Sequence, residues 1–113
     1  MKQSITAFAF LIFCFATRAQ SVKDNGSLKV SGTQLVNEKN NPVVLHGMSF
    51  GWHNLWPRFY NKGAVHELVK KWKCSVIRAS MGIELNASGY LKSPESSVKL
   101  MKKVINAGIK EGV

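Results

Sequence analysis

The sequence predicts an α/β fold in which strands and amphipathic helices alternate along the chain. Two mainly apolar runs and two helix-spaced apolar stripes follow one another in the order strand, helix, strand, helix. Right-handed crossovers between parallel strands would place both helices on one side of the sheet. Hydrophobic residues make up 45% of the chain and charged residues 19%, which is typical of a packed domain and excludes disorder.

Residues 1–19 have the pattern of a signal peptide. Lys2 is followed by the apolar run 5–15, and residues 17–19 end in the small residue that a signal peptidase reads. We therefore expect cleavage after Ala19 and a secreted product, extracellular or periplasmic. The apolar run is shorter than the roughly 20 residues that a membrane span needs, so no membrane partner is expected.

The two cysteines invite separate interpretations. Residues 11–14 faintly resemble a lipoprotein box ending in Cys14, but Phe13 stands where glycine, alanine or serine is usual. Cys74 is then the one cysteine of the mature chain. We expect it to be a small buried apolar residue without an intrachain disulfide.

A short ribbon and a strand are expected at the start of the mature chain. Residues 20–27 are polar and contain Asn-Gly, which predicts a flexible N-terminus. Residues 28–30 and 33–36 are β-prone and predict an antiparallel ribbon. The mainly apolar run 43–48 then predicts a strand covered on both faces.

The first helix follows an aromatic loop over residues 49–60. Asn61 is suited to cap it, because its side chain can accept a hydrogen bond from a free amide of the first turn. One apolar stripe follows at helical spacing, and all its members are expected in the core. These residues are Val65, Leu68, Val69 and Trp72.

A second unit repeats this order. Residues 74–81 predict a strand and 82–92 a loop, after which Ser93-Pro94-Glu95 is a strong helix start. The predicted apolar stripe consists of Val98, Met101, Ile105 and Ile109. The helix should end near Gly112, with Val113 beginning a third strand. Two such units leave strand edges unpaired, so we expect further chain to complete the sheet.

Several stretches together resemble the opening of glycoside hydrolase family 5 cellulases. They are residues 28–36, 41–43, 46–49, 52–53 and 76–81, and the likeness covers residues 28–113. The resemblance implies that residues 28–113 are the N-terminal part of a catalytic TIM (β/α)8 barrel, incomplete here because such a barrel needs about 250 residues. His46 departs from the family, which often has arginine there.

The resemblance also implies an activity. Family members are retaining endo-β-1,4-glucanases with two glutamates at the ends of later strands, about 5 to 5.5 Å apart. We expect both glutamates downstream, so that the chain alone is inactive. Glu84 and Glu95 should not replace them, because a loop acid and an acid in a helix's first turn are better explained as solvated or dipole-stabilising.

Four residues are candidates for the site. The resemblance implies that Arg78 hydrogen-bonds the nucleophilic glutamate and that His53 lines the sugar cleft; a structural ion pair and a loop histidine without catalytic duty remain the alternatives. Trp52 and Trp56 share the first loop, where an indole can stack on a pyranose or pack against the barrel rim. The sequence does not say which tryptophan contacts sugar.

Net charge and histidine spacing bear on the other partners that the protein could have. The net charge of +10 could attract nucleic acid, but the lysines are spread over predicted solvated helix faces, so no nucleic-acid partner is expected. His46, His53 and His66 show no metal-ligand spacing, and neither metal nor cofactor is expected. The expected partner is a β-1,4-linked polysaccharide, and the complete protein should be a monomer. The alternatives are a mannanase or another β-glycan hydrolase, and a secreted carbohydrate-binding module.

Overall fold

The computed structural model describes residues 22–84 and 88–113, so the predicted leader, residues 1–19, lies outside it. None of the helices in these two stretches is both long enough and apolar enough to cross a membrane. The elements in chain order are α1 (Val22–Asn25), β1 (Lys29–Ser31), β2 (Gln34–Val36), β3 (Gly47–Trp52), a 3-10 turn (Pro57–Phe59), α2 (Lys62–Lys70), β4 (Val76–Ser80) and α3 (Pro94–Glu111).

The predicted ribbon near the N-terminus is confirmed. β1 and β2 pair antiparallel, and Gly32 between them has a φ of 60°, a value that glycine adopts without strain. Just before the ribbon, in the segment predicted to be flexible, the chain forms the helical turn α1. Its Val22 N–H donates to the Gly112 carbonyl at the far end of the chain, at 3.1 Å.

β3 and β4 pair in parallel, but β3 lies four residues later than predicted. Val43 instead continues the ribbon, since its N–H donates to the Leu35 carbonyl, and Val44 is 83% exposed. The prediction that residues 43–48 form a strand covered on both faces is therefore wrong. At the start of β3, a Cβ on Gly47 would lie 1.7 Å from the Val76 carbonyl oxygen, so only glycine fits this close approach.

The two predicted helices form with most of the expected end signals. The Asn61 side chain accepts a hydrogen bond from the Ala64 N–H at 2.9 Å and caps α2, as predicted. Pro94 opens α3, and Gly112 ends it with a left-handed φ of 87°. The Ser93 hydroxyl makes no capping bond, although the helix begins directly after it.

Both helices pack against one face of the β3–β4 pair. Ile77 and Ala79 point from β4 towards this layer, while the neighbouring Val76 and Arg78 are exposed, as the two-residue period of a strand requires. Cys74 is buried, as predicted. The core cluster consists of Phe50, Tyr60, Val65, Met101, Val104 and Ala107.

The predicted apolar stripes are only partly correct. Trp72 was expected in the core but is 61% exposed, because α2 ends at Lys70 and Trp72 follows its C-cap. In α3, Ile105 and Ile109 are 47% and 71% exposed, whereas Val104 is buried. Helical spacing indicates which residues share a side of the helix, but the crossing of helix and sheet decides which part of that side is covered.

Candidate active-site edge

The carboxyl ends of β3 and β4 bring three of the four candidate residues into one region. Ser49 lies opposite Arg78 and Trp52 lies opposite Ser80. Cross-strand partners share a face of the sheet, so Trp52 and Arg78 lie on the same face, opposite the helices. Arg78 and Trp52 are both exposed there. In parallel α/β sheets, sites form at this carboxyl end.

A β-bulge interrupts β3 just before this region. Between the pairs Ser49–Arg78 and Trp52–Ser80, β3 has two residues, Phe50 and Gly51, where β4 has one. Gly51 has a φ of 69°, in the left-handed region that glycine adopts without strain. Bulges of this kind bend a strand and redirect the side chains that follow it.

The Tyr60 hydroxyl occupies the gap that the bulge leaves in the ladder. It accepts a hydrogen bond from the Ser80 N–H at 3.0 Å and lies 2.5 Å from the Gly51 carbonyl and 2.8 Å from the Ser80 carbonyl. The side chain is 1% exposed. Burial raises the pKa of Tyr60, against the opposing effects of the Ser80 backbone bond and the Arg78 charge. The phenol therefore keeps its proton at neutral pH.

His53 follows β3 and is buried, with 1% of its surface exposed. The Gly82 N–H donates to Nδ1 at 3.1 Å, so the neutral ring carries its proton on Nε2. Nε2 lies 2.8 Å from the Ser97 hydroxyl, which in turn donates to the Ser93 carbonyl. Burial lowers the pKa of His53. Both ring nitrogens are thus used inside the chain, and a sugar contact by His53 stays a prediction that requires one of these bonds to open.

The two tryptophans of the loop lie in different surroundings. Trp56 lines a groove of about 550 Å³ on the α2 side, together with Met48 and Trp72. There the Arg58 guanidinium lies 4.7 Å from the Phe59 ring centre and 6.0 Å from that of Trp56. Trp52 does not line this groove and is 45% exposed. The strand pairing thus places Trp52 on the face of Arg78, whereas Trp56 lines the groove beside α2.

Arg78 has no counter-ion among the residues that the structure describes. Within residues 22–84 and 88–113, no carboxylate forms an ion pair with Arg78. Glu84 is exposed in its loop and Glu95 is exposed in the first turn of α3. In the same two stretches, no three histidine, cysteine, aspartate or glutamate residues are grouped closely enough to hold a metal ion.

Two polar residues of this edge were missed by the sequence analysis, namely Tyr60 and Ser97. A signal for Tyr60 exists: it precedes the cap residue Asn61, where an apolar side chain commonly packs with one in the next turn, here Val65 of the same core cluster. Ser97 has no comparable signal, because a serine in the second turn of a helix is usually solvated. The bulge could have been suspected from Gly51, a glycine among strand-forming residues.

Comparison with known proteins adds the family. Residues 36–113 match the family described as Cellulase (glycosyl hydrolase family 5). An endoglucanase of Clostridium saccharobutylicum is 33% identical over 95 residues, which cover 84% of this chain and 21% of that protein. The chain thus spans about a fifth of that relative's length.

Solved structures agree. A structure from Cytophaga hutchinsonii matches with a TM-score of 0.76 and 37% identity, over 81% of this chain and 29% of that one. The catalytic domain of Thermobifida fusca endoglucanase E5 matches with a TM-score of 0.73 and 32% identity, over 81% and 30%. A variant of that domain has been solved in complex with cellotetraose. These structural neighbours are family 5 TIM-barrel catalytic domains, and the present structure resembles part of such a domain. The chain belongs to glycosyl hydrolase family 5.

Proposed function

We propose that this chain forms the first two βα units of the barrel of a secreted, retaining endo-β-1,4-glucanase. The observation that carries the proposal is the position of Arg78. Its side chain is exposed, has no ion-pair partner within residues 22–84 and 88–113, and lies on the face of the strand pair opposite the helices. In a closed (β/α)8 barrel this face is the interior, and its carboxyl end is the catalytic mouth. The signal-like pattern of residues 1–19 supports secretion.

The chemistry assigned to Arg78 is electrostatic. A guanidinium that donates hydrogen bonds to a carboxylate favours its ionised form, and an ionised carboxylate is the nucleophile that retaining hydrolysis needs. We place both catalytic glutamates on later strands of the parent. Glu84 is exposed in its loop, Glu95 is exposed in the first turn of α3, and neither forms an ion pair with Arg78, so we assign neither a catalytic role.

The proposed substrate is a β-1,4-glucan. This is supported by the endoglucanase relatives and by the cellotetraose bound to the Thermobifida fusca domain. On this chain we assign the sugar platform to Trp52, because its exposed indole shares a face with Arg78. Trp56 instead packs beside Arg58 and Phe59 in the groove next to α2. The complete protein is proposed to act as a monomer without a cofactor.

A chimera tests the proposal. Residues 36–113 replace the matching segment of the Thermobifida fusca endoglucanase, so that strands carrying the glutamates are supplied. We expect the chimera to release reducing ends from carboxymethylcellulose and the 113-residue chain alone to release none. Arg78→Ala in the chimera should lower kcat by roughly a hundredfold, the usual loss on removing one electrostatic contact to a reacting group.

The controls separate substrate from mechanism. β-Mannan is assayed in parallel, and faster release from it would identify the mannanase alternative. Trp56→Ala is the matched control for Trp52→Ala, and only the latter should raise KM. Release of reducing ends by the short chain, or a folded chimera inactive on both glycans, would contradict the proposal.

A further inference from the structure

Packing of the hydrophobic core does not require the buried hydroxyl of Tyr60. A phenylalanine ring would fill the same space, contacting Phe50 at a ring-centre distance of 5.5 Å and His53 at 6.2 Å. The oxygen atom instead lies against main-chain groups of both strands. A buried polar atom is costly unless it is bonded, so this hydroxyl is explained by the bonds it makes.

Those bonds join the strands where the ladder fails. Because β3 has one residue more than β4 at the bulge, the regular pairing between Ser49–Arg78 and Trp52–Ser80 cannot continue. Tyr60 accepts from the Ser80 N–H, and its own proton goes to the nearer carbonyl, that of Gly51 at 2.5 Å. One side chain thus substitutes for the missing ladder contacts on both strands.

The residues held in this way flank the proposed site. Gly51 directly precedes Trp52, and Ser80 is two residues beyond Arg78 on the same strand. The Ser80 carbonyl also accepts a hydrogen bond from the backbone N–H of His53 at 3.1 Å, so the chain that follows β3 is attached to β4 at the same point. A shift of β3 along β4 would therefore change the separation between the indole of Trp52 and the guanidinium of Arg78.

We propose that Tyr60 is a positioning residue: its hydroxyl closes the bulge in β3 and fixes Trp52 and Arg78 relative to each other across the strand pair. The inference rests on the proposed function for its catalytic consequence, but the bulge contact itself can be tested without it. Tyr60→Phe keeps the ring and removes only the oxygen. Tyr90→Phe is the matched control, since it removes the same atom from an exposed side chain.

The first measurement is amide hydrogen exchange in the 113-residue chain. In Tyr60→Phe we expect exchange at the Ser80 N–H to become at least about tenfold faster, because a buried donor loses its partner. The Val65 N–H, which donates to the Asn61 carbonyl in α2, should be unchanged. Unaltered exchange at Ser80 would overturn the proposal, and so would a Ser80 amide that is unprotected in the unsubstituted chain.

The second measurement is kinetic and uses the chimera. Tyr60→Phe should lower kcat about tenfold with KM within about twofold, because small misplacements of reacting groups reduce rate more than binding. The assay temperature is kept below both melting transitions, so that lost stability alone leaves kcat unchanged. An inactive unsubstituted chimera contradicts the proposed function only, and the exchange result then decides the bulge contact. An active chimera in which Tyr60→Phe keeps full kcat overturns the positioning role.

Discussion

The two faces of the β3–β4 pair differ sharply. On one face Phe50, Ile77 and Ala79 lie under α2 and α3, in a layer where Val65 is completely buried. On the other face Val76 and Arg78 are exposed to solvent. The helix-covered face forms a packed core, and the exposed face carries the residues to which we assign the proposed chemistry.

This difference indicates how stability and function are divided in the chain. Apolar burial on the helix face orders the strands, and that order fixes polar groups at the carboxyl ends, where charge can be exposed without cost to the core. Substitutions on the helix face should therefore change stability, and those on the open face should not.

The largest expected effect comes from two positions on one helix. Met101 is 8% exposed on the sheet side of α3, and Ile109 is 71% exposed on its uncovered flank. Met101→Ala should lower the free energy of unfolding by about 2 to 4 kcal/mol through lost burial and a cavity. Ile109→Ala should change it by less than about 0.5 kcal/mol. Urea unfolding of both variants measures the contrast, and equal losses would show that the two sides of α3 are not distinct.

A smaller effect is expected from protonation of His53, which is buried directly after β3. Its folded-state pKa is lowered from 6.5 by burial. As the pH falls below about 6.5, the unfolded chain binds this proton before the folded chain does, so stability is full above that pH and declines below it. His53→Gln should flatten the decline in urea midpoints between about pH 8 and 5, whereas the exposed His46→Gln should leave it intact. A decline that persists in His53→Gln must arise from other groups.

The smallest effect is predicted for Arg78. The Arg78 side chain is exposed and forms no ion pair with a described carboxylate. Arg78→Ala should therefore change the free energy of unfolding by less than about 0.5 kcal/mol. The structural alternative, an arginine that holds the strand ends by an ion pair, predicts a clear loss instead. Thermal unfolding of the 113-residue chain distinguishes the two. A loss above about 1 kcal/mol would favour the structural role.

Local signals in the sequence were sufficient for element order and for several boundaries. Asn61 and Gly112 mark helix ends through capping geometry that depends on a few neighbouring residues, and both are confirmed. The strand prediction for residues 43–48 was wrong because apolar character alone does not distinguish a strand from the chain that leads into it. The Val43 N–H pairs with β2, a contact that becomes visible only after the ribbon has folded.

By itself the sequence determined the α/β class, the ribbon, the two helices with the Asn61 and Gly112 caps, and the family, since each rests on short-range chemistry or on the order of short motifs. Tertiary structure decided that Trp72 and Ile109 are exposed and that Trp52 shares a face with Arg78. It also decided that the Tyr60 hydroxyl bonds both strands and that Ser97 contacts the His53 ring. These facts depend on how helices cross the sheet and on one extra residue in β3. Such long-range geometry has no fixed spacing along the chain, and only the folded molecule reveals it.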